Sequence, residues 1–201
     1  MLKIFLNVSY AEKDKAKALG AKWDGEKKSW YITSTQDKNK FSQWIEEERI
    51  PNIKSYGFTI CKGYEICWKC KQISQVIGIL LPKNHEMFDH YIDIWDRVNY
   101  QGFAFYLCNI NAGALKYING VTQNYKLRLS KTTNSSYYMN TCQYCDAALG
   151  DFHLYHLGGA FNPETKEAAK MIETQHINCE FYAASDGQVT SELIDIYLKH
   201  K

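Results

Sequence analysis

Cys67-Trp-Lys-Cys70 and Cys142-Gln-Tyr-Cys145 are the two runs on which the reading of this chain turns. A Cys-x-x-Cys turn presents two thiolates toward one point, and two such turns supply the tetrahedral four-sulfur set of a closed structural zinc site. The 71 residues between Cys70 and Cys142 far exceed the roughly 15–20 of a simple ribbon. Loop entropy tolerates this: lengthening the closed loop about fourfold costs only ~1.2 kcal/mol, against ~10–16 kcal/mol of apparent zinc binding. The spacing therefore predicts one zinc per chain on Cys67, Cys70, Cys142 and Cys145, with residues 71–141 as a long insertion between the knuckles. Four thiolates also accept iron. Strand-like sequence flanks both pairs, Phe58-Thr-Ile60 and Val76–Leu81 around the first and Tyr137-Tyr-Met139 before the second, so the knuckles are expected to join hairpins.

The remaining cysteines, Cys61, Cys108 and Cys179, read as small buried hydrophobes. An odd total of seven with paired spacing suits metal in a reducing compartment better than a disulfide scaffold. Beyond Cys145, the pattern Asp151-Phe-His-Leu-Tyr-His156 reads as a strand, which would point His153 and His156 to opposite faces. Tyr125–Leu129 also reads as a strand, with Lys126 and Arg128 outward and Leu127 and Leu129 inward. Asn162-Pro163 is expected to start a helix running through Ile172 toward Gln175. Glu180–Ala184 is a further strand, Ser185-Asp-Gly187 a turn, and Ser191 the cap of a terminal helix.

Toward the N-terminus, residues 2–8 read as a strand, and Ser9-Tyr-Ala-Glu12 matches the Ser-x-x-Glu capping box of a helix that ends before Gly20. Trp23-Asp-Gly25 reads as a turn and Lys28–Ile32 as a second strand. Phe41, Trp44 and Ile45 mark the buried stripe of a second helix. The expectation is a β-α-β-α module over 1–48. Residues 1–45 carry nine lysines against five acids, a local charge of +4. Lys13, Lys17, Lys22, Lys27 and Lys28 surround Trp23 and Trp30, a combination suited to phosphates and to a base stacked on an indole. In so small a module, however, both rings are first expected in the core.

Leu6-Asn-Val-Ser-Tyr10, Glu12–Asp24 with its run Ala-Lys-Ala-Leu-Gly-Ala-Lys-Trp-Asp, and Lys28-Ser-Trp-Tyr31 together resemble a small domain of unknown function. That domain recurs at the start of TraC-type plasmid primases and other mobile-element proteins. The resemblance covers about residues 3–46 and implies company with DNA-handling proteins rather than a reaction. A second, looser one concerns Asp89-His90, which stand between two cysteine pairs in the order of zinc-braced HNH nucleases, where the histidine activates water. The residues that follow the histidine in that family are absent. The competing reading puts Asp89 and His90 on a surface helix whose buried stripe is Phe88, Tyr91, Ile92 and Trp95.

The chain has 201 residues, 45% hydrophobic and 23% charged with a net +2, a balance that excludes wholesale disorder and a strongly basic nucleic-acid binder. Its first residues lack the apolar core and cleavage site of a signal peptide, and the longest uncharged span, Val98–Leu115, is broken by asparagines. A soluble cytoplasmic protein is expected. The fold class read from the sequence is α+β: the module over 1–48, a junction, and a mixed α/β, zinc-ribbon-like domain over 58–201. The function expected is a non-enzymatic zinc-binding accessory protein of plasmid or phage origin. Its partner is expected to be single-stranded nucleic acid or a nucleic-acid-processing protein. The alternatives are a metal-dependent nuclease using Asp89 and His90, and a protein-interaction inhibitor or anti-defence factor.

Overall fold

The computed structural model describes residues 3–33, 35–41, 44–45, 50–89, 92–133 and 135–189. The chain divides into two compact units, Met1–Arg49 and Ile50–Lys201. It is a mixed α/β protein dominated by antiparallel strands, and among the described residues no helix is long and apolar enough to cross a membrane.

In the first unit, β1 (Lys3–Leu6) leads through a 3-10 turn at Tyr10–Glu12 into α1 (Lys13–Ala18). The capping-box side chains bond each other, Ser9 Oγ to Glu12 Oε2 at 2.7 Å, which holds the Glu12 carboxyl below its ordinary range. Gly20, at φ +101°, takes the left-handed conformation that ends the helix. The stretch read as a turn at Trp23 is instead β2 (Lys22–Asp24), which pairs with β3 (Ser29–Thr33) around a turn at 25–28. Asp24 closes that turn by accepting the N–H groups of Glu26 and Lys27, which moves the bend downstream of Trp23. The sheet order is β1-β3-β2. Of the stretch expected as a second helix, Lys38–Phe41 is a 3-10 turn, and residues 42–43 and 46–49 lie outside the described residues. Leu6, Ala16, Ala21, Ile32, Phe41 and Trp44 form the core.

The second unit is organised around one long hairpin, β5 (Phe58–Ile66) and β6 (Ile73–Leu81), preceded by β4 (Ile53–Ser55). Nearly continuous apolar sequence at Val76–Leu81 buries both faces of this hairpin. On one face Ile60, Ile77 and Ile79 join a core with α2 (Ala112–Val121). On the other, Cys61, Val76 and Leu80 pack against Phe103, Leu154 and Phe161. The helix expected over Phe88–Trp95 is a second hairpin, β7 (His85–Asp89) with β8 (Ile94–Val98), in which Phe88 pairs with Trp95. Asp93 at φ +58° lies in the link between its strands, a conformation no helix contains. β9 (Gly102–Phe105) flanks β6, and β10 (Tyr125–Ser130), β11 (Ser135–Thr141) and β12 (Ala148–Leu149) make a three-stranded sheet.

Three further readings are corrected here. Asp151–Tyr155 is a helix, α3, so His153 and His156 do not alternate on a strand; both are exposed. In β10 Leu127 and Leu129 are exposed rather than inward, while Lys126 and Arg128, outward as expected, pair with Asp146. The expected helix from Asn162 is shorter: α4 (Lys166–Lys170) is capped by Thr165, whose hydroxyl accepts the Ala168 N–H, and Glu173–Ile177 is already β13. β14 (Phe181–Ala183) and β15 (Gly187–Val189) complete the sheets β13-β5-β6-β9-β15 and β14-β4-β7-β8. The helix expected from Ser191 lies outside the described residues.

Candidate metal centre and lysine-aromatic cleft

The first knuckle is the turn between β5 and β6, and the second joins β11 to β12. Their backbones repeat one pattern. The N–H of the first cysteine reaches the carbonyl five residues on, Cys67 to Gln72 at 2.9 Å and Cys142 to Ala147 at 2.8 Å. The residue after the second cysteine returns its N–H to the first cysteine's carbonyl, Lys71 to Cys67 and Asp146 to Cys142, both at 2.9 Å. Both returning residues are left-handed, at φ +61° and +56°.

Three side chains or hydroxyls bring the knuckles together. β9 covers only Ile79–Leu81 on one edge of β6, and β11 continues that edge. Asn140 forks onto Ile77, accepting its N–H at 2.8 Å and donating to its carbonyl at 2.9 Å. Ser74 Oγ accepts the Gln143 N–H at 3.1 Å, and Trp68 Nε1 donates to the Ala148 carbonyl at 2.9 Å. None of these ties was visible in the cysteine spacing; the polar Asn140 between apolar Met139 and the knuckle was the available signal.

The result is a cluster of four sulfurs all within 4.8 Å of one another. Cys67 Sγ is 3.6 Å from Cys145 Sγ, and Cys70 Sγ is 3.6 Å from Cys142 Sγ. A disulfide needs about 2.05 Å, and none of the seven cysteines is in a disulfide. Tetrahedral metal–sulfur bonds of ~2.3 Å place sulfurs ~3.8 Å apart, so the cluster can hold one metal ion and fills every coordination position itself. The thiols crowd each other. The Gln72 N–H lowers Cys70, but burial and the three neighbouring sulfurs push it up to about 12. Burial raises Cys142, yet the N–H groups of Tyr144 and Cys145 and two neighbouring thiols bring it down to about 6. A bound dication would let all four ionise. Among the described residues this is the one such cluster. Asp89 ends β7 opposite Ile94 and takes no part in it, and His90 lies outside the described residues.

In the first unit, a cleft of about 470 Å³ is lined by Tyr10, Lys13, Trp23, Lys28 and Trp30, with Leu6 to Val8 and Ser29. Trp23 and Trp30 face each other across β2 and β3, edge to face at 5.6 Å. Trp30 packs partly on the core, whereas Trp23 is 53% exposed, so the expectation that both rings are core fails for Trp23. Lys13 Nζ lies 3.9 Å from the Tyr10 ring, and Lys28 enters at φ +48°. The cleft thus joins Lys13, Lys28, Trp23 and Trp30 and adds Tyr10. Lys17, Lys22 and Lys27 are exposed but do not line it; Lys22 and Trp23 are adjacent on a strand and point to opposite faces.

Comparison with known proteins locates the first unit. Residues 3–46 match a domain of unknown function, DUF5710. The same stretch is 45% identical over 42 residues to a DNA primase TraC of Escherichia coli, and 44% identical over 43 residues to a second. Each alignment takes in 21% of this chain but only 3% and 4% of the primases' own length. No solved structure matches the chain.

Proposed function

We propose that the chain is a non-enzymatic, zinc-binding accessory protein of a mobile genetic element that contacts single-stranded nucleic acid. The observation that carries the reading is the cleft of Tyr10, Lys13, Trp23, Lys28 and Trp30. It lies in the segment shared with proteins named as DNA primases. Ammonium groups follow a phosphate backbone without reading sequence, and an exposed indole offers a face to any unpaired base. Lys17, Lys22 and Lys27 extend the positive field around the cleft without forming its walls.

Zinc is the favoured occupant of the cluster, because four thiolates in a closed set suit a redox-inert ion with a structural task. Cys67, Cys70, Cys142 and Cys145 would hold it. The ion would supply cohesion between segments 71 residues apart and no open position for a substrate.

Two measurements test the reading. Elemental analysis of purified protein is expected to return one zinc per chain; less than half an equivalent of any metal in folded protein defeats the metal assignment. Titration of a labelled oligothymidylate at several salt concentrations is expected to give weak, salt-sensitive binding that Lys13→Glu/Lys28→Glu abolishes. Equal affinity in variant and wild type removes the cleft from the binding surface.

A further inference from the structure

Each of the two knuckles carries an exposed ring between its cysteines. Trp68, between Cys67 and Cys70, is 63% exposed, and Tyr144, between Cys142 and Cys145, is 60% exposed. Rings of this size are ordinarily drawn into a core, and here both sit on loops whose backbone is fixed by two hydrogen bonds each and by the cysteines on either side. The Trp68 indole has committed its only donor to the Ala148 carbonyl. Its orientation is therefore set, its ring face remains in solvent, and it has no hydrogen bond left with which to read a ligand.

Charge supplies the second feature. Lys69 and Lys71 are exposed on the first knuckle, and neither is ion-paired among the described residues. Beside the second knuckle, Lys126 and Arg128 both hold Asp146 at 3.0 Å, so one carboxylate is shared by two cations. Glu65, the acid nearest the first knuckle in sequence, turns back to accept the Ile66 N–H at 3.0 Å. Lys69, Lys71, Lys126 and Arg128 against Glu65 and Asp146 leave +2 (four minus two) around two open rings.

We propose that this metal-braced tip is a second contact surface for single-stranded nucleic acid. Trp68 and Tyr144 stack on bases, and Lys69 and Lys71 meet phosphates. An oriented indole and an exposed phenol, interleaved with cations that have no ion pair among the described residues, are what an unpaired strand recognises, since every base has a face to stack and every nucleotide a charge to meet. An acidic peptide would use the lysines but leave both ring faces without a planar partner. The surface exists independently of the cleft in residues 1–49, and it rests on the metal reading only for the rigidity of the knuckles.

The test uses the full-length, metal-loaded chain and a labelled oligothymidylate, followed by fluorescence anisotropy across a salt series. Trp68→Ala and Tyr144→Ala are each expected to weaken binding about 5- to 100-fold, and Trp68→Phe to retain most of it. Lys69→Gln/Lys71→Gln, which alters no buried group, is expected to make the slope of log K against log salt shallower by ~1.4, at ~0.7 per phosphate. This variant keeps the test decisive if Trp68→Ala fails to fold. If the knuckle variants bind like wild type with full metal content while Lys13→Glu/Lys28→Glu binds weakly, the knuckle surface is overturned and the cleft stands. The reverse pattern overturns the cleft and supports the knuckles. Absence of binding by wild type at low salt overturns both.

Discussion

Two buried polar side chains, Asn140 and Asp151, bear on the stability of the second unit. Asn140 is 2% exposed and is the partner of both the N–H and the carbonyl of Ile77. Asn140→Ala strands two buried backbone groups at about 1–3 kcal/mol each, so denaturant unfolding should show a loss of about 2–5 kcal/mol. Asn140→Asp should also destabilise, because its second oxygen would face the Ile77 carbonyl. Asp151, 3% exposed, accepts the Tyr106 N–H at 2.7 Å, and burial raises its carboxyl to about 7 despite that bond. Around it the phenols of Tyr106, Tyr125 and Tyr137 are themselves raised by burial and stay neutral at pH 7. The folded state keeps this proton at pH values where the unfolded chain releases it, which makes stability fall as pH rises from about 4 to about 7. Asp151→Asn should therefore be more stable than wild type at pH 8, by at most ~4 kcal/mol, with the gap closing toward pH 4 in thermal melts.

The β5–β6 hairpin and its knuckle depend on a close approach and on a left-handed backbone position that few residues serve. Gly78 is buried in β6, where a Cβ would stand 3.0 Å from Phe103 and 3.1 Å from Phe161. Gly78→Ala should cost about 1–3 kcal/mol through overpacking, measurable by urea denaturation. Lys71 at φ +61° tolerates Lys71→Gly, whereas Lys71→Val should lose ~1–2 kcal/mol and some metal affinity. The elements with strong local signals were legible: Val76–Leu81 as a buried strand, Gly20 as a helix end, Tyr137–Met139 as the strand before a knuckle. Those that failed had locally ambiguous sequence. Phe88–Trp95 fits a helical stripe and a hairpin alike, and the left-handed Asp93 in its link decides for the hairpin. Asp151–His156 alternates weakly, but Asp151 opens a helix whose Leu154 and Tyr155 bury together. The helix Ala112–Val121 carries two glycines that dilute its periodicity; burial of Ala114 and Ile118 defines it.

All seven cysteines fall after residue 60, so a metal held by the cluster would bear on one unit of the protein. Chelation should lower the melting transition of residues 50–201 and leave amide protection in residues 3–41 unchanged, as hydrogen exchange would show. Cys142→Ser should do the same by removing one ligand, with a loss of several kcal/mol, because metal-binding energy is folding energy here. The sequence by itself determined which four residues can hold a metal, since a Cys-x-x-Cys turn is a local geometry that needs no distant partner. It also determined the likeness of residues 3–46 to a primase-associated domain, which is a property of the string. Only the tertiary structure decided that the two knuckles meet, because the Asn140–Ile77 and Gln143–Ser74 bonds act across more than 60 residues of chain. It alone decided that Trp23, Trp68 and Tyr144 stay in solvent while Trp30 turns to the core. Exposure depends on how much apolar surface the rest of the fold presents to each ring, and that quantity exists only once the chain is packed.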